Sequence, residues 1–241
     1  MTWHADEILT LGNPAVLRAV ADDPLLAPFA YHLTEPLDHE WHVPDVVHGL
    51  PDTGLVVVRP VCAATADGDT PDSFLGEPVE YDWYEEPVLD WLRFSGETDS
   101  ELLALRARVA EARLDPENVP PAAFLSHLRQ LARKTEAPFL FYSCSMWGGD
   151  VETEYAFVLD RVRPLALVTL PPETPLGRPL LMILEASTPA RIEPGDTLML
   201  ALRHLSLDLP TSFFAPHTRS FPWSKYRLES ELPRPSRPRS A

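Results

Sequence analysis

The feature that most restricts the fold of this chain is its proline content. The 241 residues include 27 prolines, which fall between runs of apolar residues and amount to about twice the usual share. Proline fixes φ near about −65° and donates no backbone hydrogen bond, so it stops helices and confines strands to sheet edges. The chain is therefore expected to build many short elements divided by rigid connections.

Apolar residues between these prolines recur with both helical and strand periods, which indicates an α+β fold. Helices are predicted over Pro14–Ala21 behind the N-cap Asn13, over 88–94, from Thr98 to Ala112, and from Pro121 with Phe124, Leu128 and Leu131 buried. Strands are predicted over 55–62, 138–146, 151–160, Leu165–Leu170 and Leu180–Glu185, whereas residues 196–209 suit either period.

These elements predict a mixed or antiparallel sheet with a central hairpin, packed by three to four helices. The chain contains no internal repeat and no Gly/Ser linker, so residues 1–231 are expected to form a single compact domain. Residues 232–241 are rich in proline and arginine and have too little apolar surface to pack. We expect a disordered basic tail there.

The negative charge of the chain is concentrated in its first half. Residues 1–120 hold 24 acids and 6 bases, a net −18, whereas residues 121–241 hold 12 acids and 14 bases, a net +2. The densest part, which we call the acidic segment, is residues 67–101, with twelve acids and one base, Arg93. Such a field repels nucleic-acid phosphate and anionic lipid and speeds encounter with a basic partner, although it also serves solubility alone.

The N-terminus and the cysteines indicate a protein of the cytoplasm. The first twenty residues contain no basic region followed by an apolar block, and no apolar run reaches 18 residues, so neither export nor membrane insertion is expected. Cys62 and Cys144 sit in strand-like apolar runs, which is typical of buried thiols and not of a disulfide framework. The sequence therefore predicts a soluble, bacterial-type protein in a reducing compartment.

Aromatic residues alternate with acids inside the acidic segment. Aromatic anchors surrounded by acids are typical of the energetic centre of an interface with a basic protein, although some of these rings could belong to the core. The predicted partner-binding residues are Glu80, Tyr81, Asp82, Trp83, Tyr84, Glu85 and Glu86.

A second polar cluster is expected on the hairpin of residues 138–160. A two-residue loop at Gly148-Gly149 would pair Trp147 with Asp150, Ser145 with Glu152, and Ser143 with Glu154. These six residues would then share one face, with a composition suited to a cation, a guanidinium or a hydroxyl-rich ligand; a solvated strand face is the alternative. The same register turns Cys144 toward the core and away from these acids, so we expect a structural thiol there and no nucleophile.

Histidines offer a third candidate site, because four of the eight fall between His32 and His48. His39, His42 and His48 could bind a divalent metal such as zinc or manganese. The metalloprotease motif needs its histidines four residues apart on a helix. Here His39 and His42 are three residues apart and Pro44 interrupts any helix, so we expect these histidines to lie on the surface, in a loop.

Motifs that identify a common enzyme class do not occur in this chain: it has no Walker loop, no GxGxxG, no GxSxG and no zinc-ribbon spacing. The leading hypothesis is therefore a non-catalytic acidic binding protein that docks a basic protein partner, as an immunity protein or inhibitor does, without a cofactor. The alternatives are a small-ligand- or metal-binding enzyme or sensor that uses the polar face of the hairpin, and a structural subunit of a larger assembly.

Overall fold

The computed structural model describes most of the chain outside the acidic segment. The described residues are 2–34, 37–38, 47–48, 50–58, 99–111, 119–147, 150–170, 180–185, 189–192, 197–207 and 223–229. The strands are β1 Thr2–Leu11, β2 Ala30–Leu33, β3 Leu37–Asp38, β4 Val47–His48, β5 Leu55–Val58, β6 Phe139–Trp147, β7 Asp150–Leu159, β8 Leu165–Leu170, β9 Leu180–Glu185 and β10 Pro189–Ile192. The helices are α1 Pro14–Ala21, α2 Ser100–Glu111, α3 Ala122–Thr135 and α4 Thr197–Arg203, with 3₁₀ turns at Ala27–Phe29 and Trp223–Tyr226.

Helices and an antiparallel sheet together confirm the predicted α+β class. The described residues gather in two compact units. Unit 1 contains residues 2–10 and the described residues from 99 to 207, and unit 2 contains residues 11–58 and 223–229. The predicted single domain over 1–231 stays a prediction, and the tail over 232–241 lies outside the described residues.

Unit 1 is built on six antiparallel strands in the order β10-β9-β8-β7-β6-β1. Side chains alternate between the two sides of such a sheet, and both sides are covered here. On one side Phe124 of α3 meets Phe141 of β6 edge to face, with ring centroids 5.7 Å apart. On the other side α4 approaches Glu154 of β7, to which the Leu198 backbone N–H donates a hydrogen bond at 3.4 Å. The middle strands are therefore buried on both faces.

The predicted hairpin forms, but a bulge changes its register. Trp147 pairs with Asp150, as predicted, and the register then shifts between Ser145 and Met146. Beyond the shift, the partners are one residue away from the predicted ones: Ser145 pairs with Thr153, Ser143 with Tyr155, and Phe141 with Phe157. Because side chains alternate along a strand, a shift of one residue moves every later residue of β7 to the opposite face.

The predicted helices have the expected buried stripes. Leu102, Leu105 and Val109 are fully buried in α2, and Phe124 and Leu128 are fully buried in α3. Within the ambiguous stretch 196–209, residues Thr197–Arg203 form the short helix α4. The predicted helix over 88–94 and the proposed capping residue Thr98 lie outside the described residues; within them, the Asp99 carboxylate accepts the Glu101 N–H at 3.1 Å and so caps α2.

Strand β1 was not predicted from the sequence. It runs antiparallel to β6, with Asp6 opposite Ser143, Glu7 opposite Tyr142 and Ile8 opposite Phe141. Two adjacent acids are unusual inside a strand that is covered on both sides, because a buried carboxylate loses the hydration that stabilises its charge. Asp6 and Glu7 therefore place two carboxyl groups within the sheet of unit 1, opposite β6.

Unit 2 contains helix α1, which follows Asn13, and strand β5, which follows Gly54. Asn13 accepts hydrogen bonds from the Ala15 and Val16 N–H groups, which confirms the predicted N-cap of α1. Strand β2 pairs with β5 on one side, while on the other the Leu228 N–H donates to the Ala30 carbonyl at 2.9 Å. A separate ribbon joins β3 and β4.

His32 of β2 fits between two glycines of unit 2. Its Nε2 lies 2.8 Å from the Thr53 carbonyl oxygen. A Cβ at Gly12 would come within 2.5 Å of Nε2, and a Cβ at Gly54 within 2.7 Å. Gly54 also has a φ of +72°, a region that residues with a side chain rarely adopt. The turn before β5 therefore requires glycine for both conformation and space.

We expect Gly54→Ala to lower the free energy of unfolding by about 2–3 kcal/mol, because the new methyl group meets the Leu33 carbonyl in a strained conformation. Chemical denaturation measures this change. Thr53→Ala is the matched control, since Thr53 is exposed and its substitution should change stability by less than about 0.5 kcal/mol. Equal stability of the two variants would contradict this role for Gly54.

Candidate functional site

The residues predicted to bind a partner or a metal fall mostly outside the described part of the chain. This holds for all seven predicted partner-binding residues between 80 and 86, and for His39 and His42. His48 lies on β4, where its backbone pairs with Leu37. Those predictions stay predictions. Among the described residues, no group of three or more His, Cys, Asp or Glu side chains is arranged to hold a metal ion.

The register predicted for the hairpin is wrong beyond the bulge, and the ligand-binding role of its six polar residues stays a prediction. Ser143 pairs with Tyr155, so it shares a face with Tyr155 and lies on the opposite face from Glu154. Both Ser143 and Glu154 are buried. The predicted pairs Ser145–Glu152 and Ser143–Glu154 do not form, and only Trp147 and Asp150 keep the predicted pairing. The bulge between Ser145 and Met146 is the physical reason, because it was not included in a register counted from the turn.

Cys144 is buried, as predicted, but its predicted separation from the acids is wrong. It pairs with Glu154 across β6 and β7, so the thiol and this carboxyl share one face. The bulge again accounts for the difference, since it moves Glu154 to the face of Tyr142 and Cys144. The sequence-based reasoning had placed Cys144 on an apolar face only.

A buried polar cluster, which we call the Glu154 cluster, lies on the α4 side of the unit 1 sheet. The Tyr142 hydroxyl donates to Glu154 Oε1 at 3.1 Å, and the Leu198 N–H at the start of α4 donates to the same oxygen at 3.4 Å. Glu7 lies opposite Tyr142 on β1 and is 1% exposed. These two hydrogen bonds satisfy the buried Glu154 oxygen, and the second attaches α4 to the sheet.

A second buried cluster, centred on Tyr155, lies on the α3 side. Ser143 faces Tyr155 across the strands, and Asp6 faces Ser143 from β1. Burial raises the pKa of the Tyr155 hydroxyl well above its ordinary value of 10.0, and the nearby Asp6 charge raises it further. A hydrogen bond from Ser143 and the charge of Arg106 act in the opposite direction. Arg106 in turn donates to the Pro120 and Val119 carbonyls, at 2.8 and 3.1 Å, and so fixes the chain before α3.

A third cluster joins the C-terminal end of the acidic segment to α3. Arg129, 3% exposed, makes a close ion pair with Asp99 and a second with Glu101 at 2.8 Å. Arg133 approaches the same Asp99 oxygen at 3.6 Å, and the Asp99 N–H donates to Ser126 Oγ at 3.3 Å. We call these residues the Asp99 junction. Its position shows that the described end of the acidic segment is paired with basic side chains of α3.

Several of these residues were missed by reasoning from the sequence. Asp6 and Glu7 are not among the candidate residues of the sequence analysis, although they directly precede the strand-like residues Ile8–Leu9. From the sequence alone, Arg129 is a base near the end of the predicted helix that begins at Pro121, where its charge would favour the helix dipole. Its actual role is an ion pair with residues thirty positions earlier, which no local pattern indicates.

Comparisons with protein-family models, curated proteins and solved structures found no match to this chain. None of the described helices is long and apolar enough to cross a membrane.

Removal of the buried guanidinium should destabilise unit 1. We expect Arg129→Met to lower the free energy of unfolding by about 3 kcal/mol, because Asp99 and Glu101 lose their buried cationic partner and α3 loses one of its attachments to the start of α2. Denaturant titration measures the loss. Arg161→Met is the control: the Arg161–Glu136 pair is exposed, so its loss should cost less than about 1 kcal/mol. Similar losses for both variants would contradict a special role for Arg129.

Stability should fall in alkali through Tyr155. Its pKa is raised in the folded state, so above pH 10 the unfolded chain loses this proton first, and unfolding becomes more favourable as pH rises. Between the unfolded and folded pKa values the slope is about 1.4 kcal/mol per pH unit for one group. We expect Tyr155→Phe to flatten the stability profile above pH 10 by that amount, measured by denaturant titration at several pH values. An unchanged slope would show that Tyr155 titrates normally.

Proposed function

We propose that this protein is a non-catalytic binding protein whose acidic segment docks a basic protein partner, as an immunity protein or inhibitor does. The observation that carries the proposal is the charge distribution: twelve acids and one base occupy residues 67–101, while the second half of the chain is close to neutral. A field of this density speeds the approach of a basic protein and favours it over acidic competitors.

The aromatic residues of the segment support a protein partner over a small cation. Tyr81, Trp83 and Tyr84 alternate with Glu80, Asp82 and Glu85. Aromatic side chains supply most of the energy at protein interfaces because they remove a large area from water, whereas surrounding charges set orientation and rate. The combination suits a partner with exposed lysine or arginine beside apolar surface.

The Asp99 junction supports the same chemistry. Asp99 and Glu101 belong to the acidic segment, and both hold the guanidinium of Arg129. Carboxylates two residues apart in this segment thus bind an arginine within the chain itself. A guanidinium binds carboxylates through several charge-assisted hydrogen bonds, which gives such contacts direction as well as strength.

The alternative of a small-ligand site on the hairpin has less support. Its predicted residues do not share one face, and Ser143 and Glu154 are both buried. Glu154 already accepts two hydrogen bonds from within the chain. Glu154 therefore serves the attachment of α4, and Ser143 belongs to the Tyr155 cluster, which is a structural use of their chemistry.

The test is a salt-dependent capture followed by a matched charge comparison. The intact protein is used to capture a partner at low ionic strength, and the affinity of the purified partner is then measured at rising salt concentrations. We expect a basic partner whose association slows markedly with salt. A variant with four neutralised acids, Glu80→Gln, Asp82→Asn, Glu85→Gln and Glu86→Gln, should bind about tenfold or more weakly at low salt, at about 0.3–0.5 kcal/mol per lost charge.

The control variant neutralises four exposed acids outside the segment: Asp22→Asn, Asp52→Asn, Glu111→Gln and Glu229→Gln. It has the same net charge as the first variant, so a purely global charge effect would weaken both equally. We expect the control to retain most of the affinity. Capture of acidic proteins without salt dependence, or equal weakening of both variants, would contradict the proposed role of the segment.

A further inference from the structure

The Asp99 carboxylate is fully engaged within the chain. Its Oδ1 accepts the Glu101 N–H, and its Oδ2 is approached by both Arg129 and Arg133. With Glu101 paired to Arg129 as well, two acids face two arginines and this end of the acidic segment carries no net charge. The remaining residues, 67–98, hold ten acids and one base. The segment therefore divides into a neutralised end and a strongly negative remainder.

The two arginines differ in how easily another cation could replace them. Arg129 is 3% exposed, makes the close contacts and also donates to the Val162 carbonyl at 3.4 Å, so its exchange would require α2 and α3 to separate. Arg133 is half-exposed, and its Nη2 lies 3.6 Å from Asp99, beyond the distance of a strong charge-assisted hydrogen bond. The side chain of Arg133 can leave without disturbing the core.

We propose that Arg133 is an intramolecular competitor of the basic partner. This inference rests on the proposed function and adds a regulatory contact to it. Arg133 is half-exposed and approaches Oδ2 of Asp99, a side chain that is itself 24% exposed, so a lysine or arginine of the partner would compete with Arg133 for the same oxygen. Each partner that uses this end of the segment must displace Arg133 first, so the contact lowers the affinity for basic ligands and makes binding more selective for partners with several cations.

The competition should be small, because Asp99 and Arg133 are both partly exposed and water screens their attraction. Exposed pairs of this kind change an equilibrium by about two- to fivefold. An effect of this size adjusts the affinity of a partner and does not switch binding on or off. It also depends on salt, since screening weakens the internal pair and the partner's pair together.

The experiment compares Arg133→Gln with Arg161→Gln in the full chain. Arg161 is a matched control because it is an exposed arginine of the same unit, paired at 3.2 Å with Glu136 outside the acidic segment. Both substitutions remove one positive charge, so the change in net charge increases the attraction for a basic ligand equally in the two variants. The probe is a fluorescently labelled decalysine peptide, and its affinity is measured by anisotropy at low and high salt.

We expect Arg133→Gln to bind decalysine about two- to fivefold more tightly than Arg161→Gln at low salt, with the difference disappearing at high salt. Thermal denaturation of both variants checks that each is folded. Equal affinities of the two variants, in a chain that does bind decalysine, would overturn the competition and leave the proposed function intact. Failure of the unsubstituted protein and of both variants to bind decalysine at low salt would overturn both.

Discussion

Arg129 places a full positive charge between α2 and α3, and the described end of the acidic segment is organised around it. A buried guanidinium is costly unless carboxylates surround it, and Asp99 and Glu101 meet that requirement. Asp99 also caps α2 and is approached by Arg133, so one residue near the end of the acidic segment begins a helix and attaches it to its neighbour. The ion pair thus attaches the described end of the acidic segment, residues 99–101, to α3.

Buried polar residues also determine how the sheet of unit 1 is covered. Glu154 accepts a hydrogen bond from the Leu198 N–H at the start of α4. Tyr155, the next residue of β7, lies on the opposite face of the sheet, near Ser143, Asp6 and Arg106. Adjacent residues of β7 thereby place one polar group on each side of the sheet, and Glu154 holds α4 on one of them. Satisfied polar groups of this kind favour one arrangement of helices over others that an apolar surface would permit equally.

Local chemistry made much of this predictable from the sequence. Asn13-Pro14 identifies the start of α1, Gly54 the start of β5, and the spacing of Leu102, Leu105 and Val109 the buried face of α2. The hairpin was also predicted, but the prediction of which side chains share a face was wrong. One bulged residue reverses the alternation of side chains along β7, and no residue type in the sequence indicates the bulge. Strand β1 pairs with β6, which lies more than a hundred residues later in the chain. Arg129 pairs with Asp99, about thirty residues earlier. Because neither partner is local, the periodicity of the sequence does not indicate either contact.

The central claim is that the acidic segment, and not the hairpin, contacts a basic ligand. Zero-length carbodiimide cross-linking of decalysine to the full chain tests it directly, because this reagent joins a lysine amine only to a carboxylate in contact with it. Mass spectrometry then identifies the acids that were joined. The account predicts cross-links concentrated on acids of residues 67–98, which disappear at high salt. Cross-links spread evenly over the exposed acids of the chain, or concentrated on the hairpin of residues 138–160, would contradict it.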